Sequence, residues 1–233
     1  MKIGTRILYP EEAGLWDADI LQISVYRDMK DNMDIMKACV RSCRDAGMPY
    51  VIHPVGYSLL QQEMLEDVWE MAQLSDTALI LHDERSPEGE RLGPRQEGLF
   101  MNALKELSSI TSVSFENAVN TRDIQWFWDS YADSITLDIG HIESSGLSSA
   151  EFVTSLDSGS IEKIRFVHMH RNNGLHGNIT DHWPLTDNCR EVLALEELLR
   201  TRPDISVLLE INEAEETDRS LDILRNIRDR LKI

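Results

Sequence analysis

The sequence predicts an α/β protein, a (β/α)8 TIM barrel with an abbreviated first βα unit. Three observations predict it. Eight short apolar runs alternate with amphipathic stretches along the 233 residues. The runs are four to seven residues long and rich in Ile, Val and Leu, as parallel strands buried on both faces are. Residues of metal-ligand type recur where these runs stop: His53, His82, Glu116, Asp138, His168 and Glu210.

Strands are expected at Lys2–Leu8, Asp19–Val25, Tyr50–His53, Ala78–His82, Ser112–Glu116, Ser134–Asp138, Ile164–His168 and Ser206–Ile211. Helical periodicity covers Asn32–Ala46, Gln61–Gln73, Arg95–Leu107, Thr121–Tyr131, Ser148–Leu156, Arg190–Leu199 and Glu215–Leu231. Thr121-Arg122-Asp123 reads as a helix start, and Ser148-Ser149-Ala150-Glu151 has the form of a capping box. Only Tyr9–Ala18 separates the first two strands, too little for a full crossover helix, so this unit is shortened or its helix is reduced to a turn. An open doubly wound sheet is the rival architecture, but no Gly-rich phosphate loop follows the first strand. With no linker, low-complexity tract or longer repeat, residues 1–233 read as one domain.

Hydrophobic residues make up 42% and charged residues 27% of the chain, ordinary values for a globular protein. No apolar stretch approaches the ~18 residues of a membrane helix, and Met1–Arg6 runs into a strand-like segment rather than a signal-peptide core. The cytoplasm is the expected location, with no membrane partner. Cys39 and Cys43 lie one helical turn apart and, with Cys189, read as buried or half-buried free thiols. The net charge of -18 repels phosphate backbones, which disfavours nucleic acid as a partner. Positive charge clusters at Arg91 with Arg95, and at Arg225, Arg228, Arg230 and Lys232, where intervening acids suggest a solvated helix face.

In a (β/α)8 barrel the C-terminal strand ends line the active site. His53, His82, Glu116, Asp138, His168 and Glu210 would therefore converge from strands three to eight. One such residue alone is more often a hydrogen-bonded core residue or a helix cap, and Asn117 or Asp83 could serve as caps. Several together are costly to bury unless a divalent cation neutralises them. Asp138 and His141 are three apart across a strand-to-loop turn and can face one centre. His168 and His170 share a strand face; His168 is the preferred ligand because it ends the Phe166-Val167 run, with the reverse assignment open. Mixed nitrogen and oxygen donors suit zinc, manganese or cobalt.

Ser114-Phe115-Glu116-Asn117, Leu137-Asp138-Ile139-Gly140-His141, Val167-His168-Met169-His170 with Asp181-His182-Trp183-Pro184-Leu185, and Leu208-Leu209-Glu210-Ile211 resemble successive signatures of the xylose-isomerase-like superfamily. That superfamily contains sugar phosphate isomerases/epimerases and endonuclease IV. In the epimerase branch, the resemblance implies one divalent ion held by Glu116, Asp138, His168 and Glu210, with Glu116 and Glu210 also acting as acid and base. In the endonuclease IV branch, it implies a zinc cluster with additional ligands at His53, His82, His141, Asp181 and His182. The chain departs from the pattern in three places. Arg171 stands where relatives often have Asp, Thr186-Asp187-Asn188 replaces a Gly-x-Gly turn, and Asp181 adjoins His182 with Thr180 two residues before it. Arg171, Asn117 and His170 are the candidate substrate contacts; Arg171 would read a phosphate or carboxylate, or else form an exposed salt bridge.

The leading expectation is a metal-dependent sugar or sugar-phosphate isomerase/epimerase working through an enediolate, with Glu116 and Glu210 as the proton-transfer pair. The alternative is an endonuclease IV-like multi-zinc hydrolase at abasic DNA, and a further one is a sugar-binding barrel without turnover. The substrate, the metal and the number of ions stay open, as does a homo-oligomer. His176 and His170 are the histidines least expected to be ligands.

Overall fold

The chain is seen in a computed structural model that describes residues 1–172, 182–212 and 214–233; Asp181 and His176 lie outside the described residues. Eight parallel strands close in sequence order into a barrel: β1 (Lys2–Ile7), β2 (Ile20–Tyr26), β3 (Tyr50–Val55), β4 (Leu79–His82), β5 (Val113–Glu116), β6 (Ile135–Asp138), β7 (Ile164–Met169) and β8 (Ser206–Leu209). The seam is the β1–β8 pair, which runs from Lys2 against Ser206 to Thr5 against Leu209. Around it lie α1 (Asn32–Asp45), α2 (Gln62–Leu74), α3 (Pro94–Ser108), α4 (Ile124–Tyr131), α5 (Ile139–Ser144), α6 (Ser149–Ser155), α7 (Ser158–Lys163), α8 (Arg190–Thr201) and α9 (Thr217–Leu231).

Side chains alternate along each strand, so a barrel sorts its sequence into two cores. Outward residues such as Ile3, Leu21, Ile52, Leu79, Phe115, Leu137, Val167 and Leu209 pack beneath the helices in the main core. Inward residues Ile20, Val51, Ala78, Ile80, Phe166 and Leu208 form a separate small cluster inside the barrel. Gly4 completes this layer because nothing larger fits. A Cβ there would overlap the Ile20 carbonyl oxygen and lie 2.9 Å from the Leu208 side chain. The inner apolar layer plugs the barrel, and the inward positions two residues further along each strand form the floor of its C-terminal mouth.

The short first connection is a 3-10 turn, Pro10–Gly14, with the Glu12 carboxylate accepting from the Leu8 and Tyr9 amides at 2.6 and 2.9 Å. The expected helix at Thr121 begins as a 3-10 turn (Thr121–Asp123) before α4. Two six-residue helices, α5 and α7, were not anticipated, since neither is long enough for a 3.6-residue period to show. Each starts at an aspartate whose side chain accepts a backbone N–H, Asp138 from His141 and Asp157 from Ser160. Ser148 caps α6 by accepting from the Glu151 amide. The β8 ladder stops at Leu209, which leaves Glu210 one residue beyond it rather than within the strand.

Cys39 and Cys43 are free and buried on α1, and burial pushes their thiols up to about 12 and about 11. The basic residues of α9 pair with acids, Arg225 with Asp222 and Asp17, Arg228 with Asp19, and Arg230 with Glu196. Among the described residues, no helix is long and apolar enough to cross a membrane.

Candidate metal centre

Strand parity places the polar residues. Two positions beyond the inner apolar layer, Ile20 leads to Gln22, Val51 to His53, Ile80 to His82, Phe166 to His168 and Leu208 to Glu210. Ser114 and Thr136, whose hydroxyls lie 2.8 Å apart, lead likewise to Glu116 and Asp138. Glu116, Asp138 and His168 have no exposed surface, and Glu210 has 4%. One ligand atom from each of these four residues lies within 4.8 Å of all the others.

Glu116 is the centre of the arrangement. His53 Nε2 lies 3.2 Å from it, His141 Nδ1 3.2 Å, His168 Nδ1 3.3 Å and His82 Nε2 3.6 Å. Yet both Glu116 oxygens, both His168 ring nitrogens and His141 Nδ1 are buried without a hydrogen-bond partner among the described residues. Orphaned buried donors and acceptors are costly, and a cation at their convergence removes that cost. The set fits a divalent ion such as zinc, manganese or cobalt, with carboxylate oxygens and one imidazole in the Glu116–Asp138–His168–Glu210 group.

Surrounding contacts orient these groups. His53 Nδ1 is 3.0 Å from the Ile80 carbonyl and donates to it, which turns the Nε2 lone pair toward Glu116. Asp138 Oδ1 accepts the His141 amide at 2.6 Å, leaving Oδ2 facing His168 at 3.8 Å. Gln22, on the inward face of β2, donates from Nε2 to Glu210 Oε1. The sequence reading passed over Gln22; the signal was present in Ile20-Leu21-Gln22-Ile23-Ser24, where polar residues alternate through an otherwise apolar run.

Electrostatics follow from the crowding. Burial alone would raise the Glu116 carboxyl, but His168, His53 and His82 outweigh it and hold it well below the usual carboxylate range. Burial is likewise outweighed at Asp138, by His141 and His170, and at Glu210, by His168 and His53; both are lowered. Burial opposes charging of His168, yet Glu210 and Glu116 raise it to about 9. At His141, burial is overcome by Asp138 and Glu116, and the imidazole rises to about 10. At His82 burial prevails over the attraction of Glu116, and the imidazole falls to about 4. Metal-free protein therefore carries a proton on His168 near neutral pH. Loading a divalent ion at about pH 7.5 is expected to release about one proton per ion bound to this group. Calorimetric titration of one ion in buffers of different ionisation enthalpy checks this; heats independent of buffer would show that His168 was already neutral.

The remaining candidates gather around the same centre. His53 forms one further donor group with His82 and Glu116 and another with His168 and Glu210, while His141, His170 and His182 form a group of their own. Asn117, read from the sequence as a substrate contact, has another task. It is fully buried, donates to the Asp138 carbonyl at 2.9 Å and accepts the Asp138 amide at 2.8 Å, stapling β5 to β6 beside the site. His170, the second such candidate, is also fully buried. Its Nδ1 accepts the His182 amide at 3.0 Å, so its Nε2 carries the proton and faces Asp138 at 3.2 Å. Both side chains are thus engaged with the segments that frame Asp138. Arg171 is half-buried, pairs through its backbone with Trp183 and donates from Nε to the Pro184 carbonyl at 3.1 Å. It borders a cleft with Glu143, Arg190 and Glu191, on the outer side of the β7 end.

No family model matches the chain, and no curated protein matches it by sequence. Solved structures match it by fold. A D-tagatose 3-epimerase-like protein aligns over 100% of this chain and 98% of its own, with a TM-score of 0.69 and 20% identity. A xylose isomerase-like TIM barrel protein from Mycobacterium smegmatis in complex with magnesium aligns over 94% and 85%, with a TM-score of 0.58 and 13% identity. A D-psicose 3-epimerase from Clostridium cellulolyticum H10 with D-tagatose aligns over 98% and 92%, with a TM-score of 0.52 and 13% identity. The chain thus shares the closed (β/α)8 barrel fold of these proteins.

Proposed function

We propose that this chain is a metal-dependent isomerase or epimerase acting on a small sugar or sugar phosphate. The observation that carries the proposal is the convergence of Glu116, Asp138, His168 and Glu210 at the mouth of the barrel. The similar folds include sugar epimerases, which supports the reading. A divalent ion held by these four residues would supply electrostatic stabilisation for negative charge developing on the substrate oxygens. The chain's own residues do the rest. Glu116 at the end of β5 and Glu210 beyond β8 approach the centre from different walls, as proton removal from one carbon and return at another requires. Gln22 orients Glu210 by donating to one of its oxygens, leaving the other to hold the proton.

One observation favours a second reading. Glu116 belongs both to the four-residue group and to the His53–His82–Glu116 group, so the residues present could hold more than one ion, as endonuclease IV-like phosphodiester hydrolysis would require. The experiment that separates the two incubates metal-loaded protein with ketoses and ketose phosphates in D2O, beside an abasic-site duplex, with metal content counted per chain. Deuterium appearing at the carbon next to the carbonyl, lost in Glu210→Gln, is the expected result. Duplex cleavage with two or three zinc ions per chain and no exchange in any sugar would refute the isomerase assignment.

A further inference from the structure

The proposed chemistry makes no use of the arginine on the inward face of β1. Arg6 lies on β1 two residues beyond Gly4, hence on the inward face, and its Cα is paired in register with Gln22. It therefore projects at the level of the carboxylate-bearing floor. Its Nη1 donates to the Tyr26 hydroxyl at 3.0 Å, and its Nη2 donates to Asn212 Oδ1. Both acceptors are neutral, and no carboxylate forms an ion pair with Arg6 among the described residues. These two bonds hold the guanidinium across the rim between β2 and the end of β8, with its other N–H groups left for a ligand.

The placement is unusual for this chain. Acidic residues outnumber basic ones by 41 to 23, and the carboxylates of Glu116, Asp138 and Glu210 gather on the floor of the same barrel mouth. An arginine here would gain most from an ion pair, yet it is anchored by a phenol and an amide that leave its charge unspent. Beside it, Tyr26 also lines a cavity of about 600 Å3 with Arg27, Asp28, Val55 and Gly56. Arg27 adds a second, exposed cation to that wall.

We propose that Arg6, held by Tyr26 and Asn212, is an anion-binding group that selects substrates carrying a phosphate ester or a carboxylate. The inference rests on the isomerase reading and sharpens it from sugars in general to anionic ones. The planar fork of the guanidinium binds either anion through two parallel hydrogen bonds. It also offsets the repulsion that an anion would meet at a site built of carboxylates. Arg171, which the sequence suggested for this task, lies at the β7 end with Nε committed to a backbone carbonyl.

The test is calorimetric binding of D-xylulose 5-phosphate, D-xylonate and D-xylulose to metal-loaded wild type, Arg6→Gln and Arg6→Lys, with metal content measured in each. Wild type is expected to bind at least one of the two anions about 10-fold or more tightly than the neutral ketose; which one identifies the group being read. Arg6→Gln, which can still bond Tyr26 and Asn212, should lose that preference while keeping its metal and its affinity for D-xylulose. Arg6→Lys should retain part of the preference. Equal binding of all three compounds by wild type, or an undiminished preference in Arg6→Gln, would overturn the role of Arg6 and leave the isomerase reading intact. Wild type that binds none of the three compounds and takes up no metal would overturn both.

Discussion

Glu116→Gln is expected to weaken divalent-metal binding by at least about 100-fold, above the ~10–100-fold typical of losing a partner that only supports a ligand. Glu116 is the one residue common to the His53–His82 group and the Asp138–His168–Glu210 group, so its loss removes a donor from both. The amide preserves volume but not charge, and it leaves His53, His82, His141 and His168 facing a neutral neighbour. Breaking a buried charge set by removing one member costs about 3–5 kcal/mol, so the metal-free variant should unfold at lower denaturant. A change in pH dependence should accompany this. In metal-free wild type, His168 and His141 are raised from 6.5 to about 9 and about 10. Their stabilising contribution is therefore fully present below pH 6.5 and lost as pH rises through those values. Without the Glu116 charge this loss should be smaller and should occur at lower pH. Chelator-competition titrations and urea unfolding from pH 6 to 10 measure both effects. Wild-type metal affinity in Glu116→Gln would remove Glu116 from the ligand set.

Gly140→Ala is expected to be the most disruptive methyl that can be added near the site. A Cβ at Gly140 would overlap the His170 ring at Cε1, Nδ1 and Nε2. That ring cannot retreat, because it is fully buried, stacked on His182 at 4.2 Å and bonded to both Asp138 and the His182 amide. Overpacking typically costs about 1–3 kcal/mol, and a site with no relaxation path falls at or above the upper end. Because His170 orients Asp138, metal affinity should drop as well, by about 10–100-fold. The double variant Gly140→Ala/His170→Ala should recover most of the stability but not the affinity. If the two substitutions proved simply additive in urea unfolding, the proposed steric conflict between residues 140 and 170 would be wrong.

The eight strands and the larger helices were legible in the sequence, because burial on both faces makes a parallel strand nearly continuous in Ile, Val and Leu, whereas a helix spaces its apolar residues by 3.6. The same regularity exposed His53, His82, Glu116, Asp138, His168 and Glu210, since a charged or imidazole side chain ending an apolar run is a visible break. Gln22 escaped notice because it interrupts β2 in mid-run, where one amide resembles any half-buried polar residue. Arg6 escaped because the sequence does not say which face of β1 turns inward; Gly4, wedged against Ile20 and Leu208, decides that only when the barrel closes. Asn117 and His170 were legible as polar residues near the site, but whether each meets a ligand or the backbone depends on where its neighbours lie in space. The sequence alone therefore determined the barrel and the list of ligand types at its strand ends, because periodicity and composition are local properties. The tertiary structure decided which donors share a centre, which are spent on the backbone, and which face of β1 carries Arg6 inward. Those outcomes depend on the register between strands distant in the chain, such as β1 against β8.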